Sequence, residues 1–165
     1  MTCRMAFGVL WVMVLAGLAG CTLPPVRTVE IGDMARFEHK VLIATESSEF
    51  KTAVVEGVIE ALENDRVYVK MIDVTNLGQE RAEEYDGIII LNSCIAWSLS
   101  PEVLKFIEAL PAKERLVVLV TAGDEEWTPE SLAVDAVTSA SKMEATRRVT
   151  ADIIEKIRSA ISSRG

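Results

Sequence analysis

The hydrophobic pattern is clearest between residues 85 and 110, where an unbroken apolar run is followed by a polar loop and a helix. A turn pair, Asp-Gly, precedes the run 88–91 (IIIL), which has no polar position. A short apolar run bounded by turn signals predicts a strand that is buried on both faces. After the small polar residues 92–100, Ser100 can cap a helix and Pro101 can start it. We therefore predict half of a strand-helix-strand unit here.

Similar patterns alternate along the rest of the chain. Four further stretches are apolar or alternate with period two, and two others repeat their apolar residues every three to four positions. The alternating stretch 66–74 is typical of an edge strand, and residues 75–84 leave room only for a brief helix. The predicted strands cover residues 40–45, 66–74, 87–91, 114–121 and part of 133–140, and the predicted helices cover 49–64, 101–110 and 144–162.

Strands and helices that alternate in this way form a parallel sheet with helices on both faces. We predict an α/β fold with a doubly wound sheet of five parallel strands in the order 2-1-3-4-5. Ligands of such sheets bind at the carboxyl ends of the strands where the order reverses, here between the first and third strands. The loops 45–48 and 92–98 lie at that point. The topology thus predicts a ligand site before any motif is considered.

The front of the chain has the composition of a secretory signal. Arg4 precedes a long apolar segment, residues 5–19. The sequence LAGC at 18–21 resembles the bacterial lipobox. That resemblance implies that Cys21 is lipidated, with palmitate among its acyl chains, and becomes the mature N-terminus. The alternative is an uncleaved membrane anchor, since the apolar segment is close to spanning length.

These features divide the chain into three parts. We predict a lipoprotein signal peptide over residues 1–20, a tether over 21–39 and one domain over 40–165. The pair Pro24-Pro25 favours an extended tether. The domain is then held to a membrane of the cell envelope, outside the cytoplasm.

The charge and the cysteines narrow the choice of partners. The formal net charge is −8, and no basic stripe is available to neutralise phosphates, so we predict no nucleic-acid partner. Once Cys3 leaves with the signal and Cys21 carries lipid, Cys94 has no disulfide partner. We interpret Cys94 as a small hydrophobe, because a reactive thiol needs an electropositive neighbour. His39 has no second ligand cluster nearby, so we predict no metal site.

The loops at the predicted ligand edge resemble those of flavodoxins, and the resemblance extends from residue 40 to the C-terminus. The segment 85–110 is similar to the flavodoxin stretch with the first flavin loop, and 121–124 (TAGD) resembles the second. The resemblance implies that the cofactor is FMN and that Trp97 stacks on its ring, with Trp127 as a second aromatic. The residues that it assigns to the cofactor are Thr45, Ser47, Ser48, Asn92, Ser93, Trp97, Thr121, Gly123 and Asp124.

The phosphate loop departs from the flavodoxin pattern S/T-x-T-G-x-T and reads TESSEF. Ser48 replaces the glycine, which limits close backbone approach, and Phe50 replaces the last threonine. Glu46 and Glu49 add negative charge where a phosphate would lie, and Lys51 offsets one of them. The alternative interpretation is a capped helix start whose first-turn acids suit the helix dipole.

A second resemblance lies at residues 135–141 (DAVTSAS). This segment is similar to the D-x-x-T-G-A-T signature of FMN-binding domains of electron-transfer membrane complexes. That resemblance implies covalent attachment of FMN to Ser141 through its phosphate, with Ser139 in the glycine position. The alternative is a turn at the end of a strand, in which Ser139 or Ser141 caps the last helix.

Two functions are compatible with this pattern. The first is an FMN-binding electron carrier outside the cytoplasm, whose acidic surface attracts a basic redox partner protein. The second is a flavodoxin-fold lipoprotein without a cofactor, which works as an interaction or ligand-sensing module. A hydrolase that uses a serine or Cys94 is the least favoured, since it lacks a histidine partner and a G-x-S-x-G elbow. We expect an electron carrier rather than an enzyme with its own substrate.

Overall fold

The computed structural model describes residues 25–122 and 135–163. The strands in these two ranges are β1 (Val29–Ile31), β2 (Lys40–Thr45), β3 (Tyr68–Asp73), β4 (Gly87–Ser93), β5 (Leu116–Thr121) and β6 (Asp135–Ser139). They form one sheet in the order β1-β3-β2-β4-β5-β6. The helices are α1 (Glu49–Asn64), α2 (Pro101–Ala109) and α3 (Thr146–Ser162), with short 3₁₀ segments at Val74–Gln79, Ala82–Glu84 and Met143–Ala145.

The parallel part of the sheet confirms the predicted fold class. Strands β2 to β6 pair in parallel, and their order is the predicted 2-1-3-4-5 when counted from β2. In this register Thr45 lies beside Asp73 on one neighbour and beside Leu91 on the other. The order of the strands therefore reverses around β2, and the loop after β2 faces the loop after β4.

The antiparallel strand β1 was not predicted. Val29 pairs with Met71 and Ile31 with Val69. This strand lies within residues 21–39, which the sequence pattern assigned to a tether, so part of that stretch belongs to the sheet. β3 is consequently not the edge strand that its alternation indicated. Three residues are too few to give a period, whereas the open N–H and C=O groups of β3 readily pair with such an addition.

Helices cover both faces of the sheet, as predicted. One cluster of buried side chains joins α1 and α3 to strand residues that include Val41 and Ile43. A second cluster joins α2 and the segment Val74–Gln79 to strand residues that include Leu42 and Ala44. Successive residues of β2 thus enter opposite cores, as the alternation of side chains in a strand requires. β4 is buried on both faces for the same reason, which confirms its predicted character.

The helix starts agree only partly with the prediction. The Ser48 hydroxyl caps α1 by accepting a hydrogen bond from the Lys51 N–H at 3.1 Å. Ser100 stands at the equivalent position of α2, but its side chain makes no capping bond. Its N–H donates to the Asn92 side chain at 2.9 Å instead. The last helix is preceded by a 3₁₀ turn, Met143–Ala145, so its α-helical part begins two residues later than predicted.

No helix among the described residues is long and apolar enough to cross a membrane. The predicted signal peptide, residues 1–20, lies outside the described part of the chain.

Candidate functional site

The carboxyl ends of β2, β4 and β5 meet at one edge of the sheet, where polar side chains are concentrated. Thr45 ends β2, Asn92 and Ser93 end β4, and Thr121 ends β5. Thr45, Asn92 and Thr121 are buried, and Ser93 is paired in register with Thr121. The structure thus brings together four of the predicted cofactor residues.

The carboxylate of Glu46 bridges the gap between the loop after β2 and the end of β4. Its Oε2 accepts hydrogen bonds from the Ser93 N–H at 3.0 Å and from the Ser93 hydroxyl at 2.7 Å. Its Oε1 accepts a hydrogen bond from Asn92 Nδ2. Lys51 Nζ donates to Oε2 at 2.8 Å. Four donors therefore converge on one carboxylate, whose side chain is 26% exposed.

Lys51 approaches this carboxylate from the first turn of α1. Its Nζ lies 2.8 Å from Glu46 Oε2 and 2.6 Å from Ser93 Oγ. Only 3% of the Lys51 side chain is exposed. An ammonium group removed from water needs a charged or strongly polar partner. Glu46 and Ser93 provide that partner, and the crevice holds a nearly buried ion pair.

The ionisation of Glu46 follows from these contacts. Burial opposes the charged form, but the hydrogen bonds from Lys51 and Ser93 outweigh it and hold the pKa of Glu46 below its ordinary value. At neutral pH the Ser93 hydroxyl is therefore held between a carboxylate and an ammonium. A carboxylate of lowered pKa is a weak base for activating a serine. This geometry does not favour the hydrolase hypothesis.

Asn92 connects the crevice to α2. Its side chain is fully buried, with Nδ2 donating to Glu46 and Oδ1 accepting from the Ser100 N–H at 2.9 Å. Because both ends of the amide are used, its orientation is determined. The position of the Glu46 carboxylate is thereby coupled to the start of α2.

A two-residue turn carries Trp97 outward just after β4. Ile95 and Ser98 exchange two backbone hydrogen bonds, of 2.9 and 3.1 Å. The central residues Ala96 and Trp97 have φ values of 51° and 63°. Two positive φ values are typical of a type I′ turn, which prefers Asn-Gly, so these two residues each strain the backbone by about 1 kcal/mol. The turn exposes 74% of Ile95 and 69% of Trp97.

The segment of the second resemblance, residues 135–141, comprises β6 and the two residues after it, so that Ser139 and Ser141 lie at the same edge of the sheet. Ser139 is buried, and its hydroxyl donates to the Ala140 carbonyl at 2.9 Å. Ser141 is exposed in the bend that follows. The N-cap of α3 is Ala145, and it makes no side-chain bond. The alternative is therefore right that this segment turns at the end of a strand, but neither Ser139 nor Ser141 caps the last helix.

The remaining predicted site residues divide into two groups. Ser47 and Ser48 lie in the loop before α1, and Ser48 uses its hydroxyl as the helix cap. The predicted residues that fall outside the described part of the chain are Cys21, Gly123, Asp124 and Trp127.

Two other kinds of chemistry, a reactive cysteine and a metal site, have little support in the described residues. Cys94 is partly buried and packs against the core on the α2 side, as expected of a small hydrophobe. Among residues 25–122 and 135–163, no group of histidine, cysteine and carboxylate side chains could hold a metal ion.

The pairing of Glu46 with Lys51 and β4 was not predicted. The sequence alone indicates only that the charge of Glu46 disfavours a phosphate and that Lys51 neutralises one of the two negative charges of the loop. One signal was available. An Asn-Ser pair ends a fully apolar strand and faces the loop that contains Glu46. Five residues after that acid, a lysine lies on the buried side of α1.

The comparisons with known proteins give matches only among solved structures. No family model matches the sequence, and no curated protein matches it. A flavodoxin from the domain Archaea aligns with a TM-score of 0.51 and 12% identity, over 73% of this chain and 98% of that chain. An oxidoreductase from Corynebacterium diphtheriae aligns with a TM-score of 0.50 and 13% identity, over 76% of this chain and 98% of that chain.

A longer protein contains a similar unit. The Flv1 flavodiiron core from Synechocystis sp. PCC6803 aligns with a TM-score of 0.51 and 10% identity, over 75% of this chain and 36% of that chain. This chain thus corresponds to about a third of the flavodiiron chain.

At these identities the likeness concerns the fold. The chain has a flavodoxin-like fold, to which the antiparallel strand β1 is added at one edge. The resemblance drawn from the sequence is thereby confirmed for the fold.

Proposed function

We propose that this chain is a membrane-anchored, flavodoxin-like lipoprotein that binds FMN and transfers electrons outside the cytoplasm. The observation that supports this most directly is Trp97, which is 69% exposed on a turn at the ligand edge of a flavodoxin-like sheet. An exposed indole offers a face on which a flavin ring can stack. Backbone strain of this kind is typical of functional sites.

The residues at this edge suit the two halves of FMN unequally. The ring has Trp97 for stacking and the polar ends of β4 and β5 nearby. At the phosphate position, the Ser48 hydroxyl is used as a cap and Lys51 is paired with Glu46. The exposed Glu49 adds further negative charge. The ring half therefore fits the site, and the phosphate half does not fit the loop as it stands.

FMN, when bound, supplies reversible uptake and release of electrons. The role of the protein is to stack the flavin ring, to hold it at the sheet edge and to present an acidic surface. A formal net charge of −8 favours encounter with a basic partner protein. We therefore propose an electron carrier without a substrate of its own.

A lipid on Cys21 would hold this edge close to the membrane. The Val26 N–H donates to Asp73 Oδ2 at 2.9 Å, and Asp73 ends β3. The chain thus meets the sheet at the same edge as Trp97. From Cys21 to Val26 the chain can span at most about 18 Å. This geometry favours a redox partner that is itself at the membrane.

The visible absorption spectrum of the purified protein tests the cofactor. We expect flavin bands in the protein as purified or after FMN is added, together with quenching of FMN fluorescence. A colourless protein that leaves FMN fluorescence unchanged would refute the proposal. Trp97→Ala should weaken FMN binding about tenfold or more, whereas Trp97→Phe keeps an aromatic face and should retain most of the affinity.

The covalent link and the anchor are tested separately. Colour that stays with the denatured, precipitated protein would indicate covalent attachment, which Ser141→Ala should abolish. Colour released to the supernatant would exclude it. Labelled palmitate should be incorporated into the wild type and not into Cys21→Ser, and equal labelling of the two would contradict lipidation at Cys21.

A second function is favoured by the crevice itself. Glu46 satisfies Lys51, Asn92 and Ser93 without any ligand, as expected of a module that has no cofactor. The exposed Ile95 and Trp97 would then contact a protein partner or a sensed ligand. Failure to bind any flavin would favour this function over the first.

A further inference from the structure

The crevice between β2 and β4 has the donors of an anion site. Lys51 Nζ, the Ser93 N–H and hydroxyl, and Asn92 Nδ2 converge on one position. The Lys51 side chain is 3% exposed and Asn92 is fully buried, so neither is a mobile surface group. An ammonium and a backbone N–H are the donors that carboxylates and phosphates prefer. In this protein the position is taken by the carboxylate of Glu46.

We propose that Glu46 is the built-in anion of this crevice and excludes phosphate-bearing ligands from it. A flavin bound at this edge is then recognised by its ring, and its phosphate adds nothing to the affinity or lowers it. The statement about flavin recognition rests on the proposed function, whereas the role of Glu46 as the anion of the crevice does not.

The contacts of Glu46 give the physical reason. A phosphate ester carries a charge of about −1.5 to −2 at neutral pH. To reach the donors it must displace the Glu46 carboxylate, which then loses its ion pair with Lys51 and its hydrogen bonds from Ser93. If it binds beside Glu46 instead, two anions lie a few ångströms apart in a partly buried site. Both arrangements are unfavourable, whereas an uncharged ring at Trp97 meets neither cost.

The position of Glu46 in the loop strengthens this assignment. It lies two residues before Ser48, the N-cap of α1, at the start of which an anion would otherwise bind. The carboxylate is fixed from the β4 side by Asn92, which also holds the start of α2. Displacing Glu46 would therefore disturb contacts on two elements.

The first experiment compares FMN with riboflavin, the same ring without the phosphate, on the full-length protein in non-ionic detergent. Fluorescence titration should give riboflavin a Kd equal to or below that of FMN. Glu46→Gln keeps the shape of the side chain and removes its charge. It should therefore raise the ratio of the riboflavin Kd to the FMN Kd about fivefold or more. The control Glu49→Gln removes an exposed charge from the same loop and should shift the ratio less than about twofold.

Two results of that titration would overturn the inference. One is a wild-type protein that binds FMN about tenfold or more tightly than riboflavin. The other is a Glu46→Gln variant with an unchanged ratio. If neither flavin binds, the proposed function fails, and the role of Glu46 is decided by the second experiment alone.

The second experiment uses no flavin. Glu46→Ala leaves the donors without an anion, so acetate or inorganic phosphate in place of chloride at equal ionic strength should raise its Tm by about 3 °C or more. The wild type and Glu49→Ala should respond to the exchange by less than about 1 °C. If Glu46→Ala does not fold, the same measurement is made on Glu46→Ser, whose short side chain also leaves the donors without an anion. A folded variant without an anion-specific response would overturn the inference.

Discussion

Replacing Lys51 with methionine tests how strongly the ligand edge depends on its nearly buried ion pair. Lys51 Nζ and Glu46 Oε2 are 2.8 Å apart, and the two side chains are 3% and 26% exposed. With an effective dielectric constant of about 20, the Coulomb attraction at that distance is ~6 kcal/mol. In each single variant the remaining group can relax and regain water, which offsets more than half of it. We therefore expect a net coupling of about 2 to 3 kcal/mol between the two residues.

The assay is a double-mutant cycle measured by urea unfolding. Lys51→Met and Glu46→Gln should each lower the free energy of unfolding by about 2 to 4 kcal/mol, because each leaves a partner without its counter-charge. The double variant should lose about 2 to 3 kcal/mol less than the two single losses together. Additivity within about 0.5 kcal/mol would refute the buried pair.

An exposed pair provides the matched control. Arg158 Nε lies 2.7 Å from Asp65 Oδ2, a similar separation, but the side chains are 51% and 36% exposed. The same cycle on that pair should give a coupling below about 1 kcal/mol. Equal couplings in the two cycles would mean that burial is not the cause.

Three further predictions concern the turn, the pH dependence and the sheet. Ala96→Gly should raise the free energy of unfolding by about 0.5 kcal/mol in urea, because glycine adopts a φ of 51° without strain; a loss would contradict that strain. Burial opposes ionisation of Glu46 and Asp73, but the hydrogen bonds that each accepts hold both pKa values below their ordinary range. Their stabilisation is therefore complete at neutral pH and is lost as the pH falls through the folded-state pKa values. Stability should begin to fall as the pH drops below about 5, and Asp73→Asn should flatten part of that fall. Gly87→Ala should cost about 1 to 3 kcal/mol, because the added Cβ would lie 2.6 Å from Ile157 Cδ1; unchanged stability would show that the two can separate freely.

The parallel sheet could be predicted because its strands carry an unusually uniform signal. β4 and β5 are buried on both faces, so their sequences are apolar up to the polar residues at their carboxyl ends. Helices with a regular apolar stripe separate the strands. β1 gives no such signal. It has three residues, and its position depends on pairing with β3, more than thirty residues away in sequence. Contacts of that range leave no local pattern.

The candidate site could be located from the sequence but not described. Topology indicated the loops after β2 and β4, and the resemblance implied that Trp97 stacks on a flavin ring. The pairing of Glu46 with Lys51, Ser93 and Asn92 depends on the side chains of two elements meeting across a crevice. The types of these residues do not reveal whether the acid would repel an anionic ligand or occupy the position of that ligand itself.

The most direct test of a flavin site at this edge is a parallel titration of FMN and riboflavin with the purified protein, followed by flavin fluorescence. The arrangement of Trp97 and Glu46 predicts that both flavins are quenched, that riboflavin binds at least as tightly as FMN, and that Trp97→Ala weakens both. If the protein quenches the fluorescence of neither FMN nor riboflavin, there is no flavin site at this edge of the sheet.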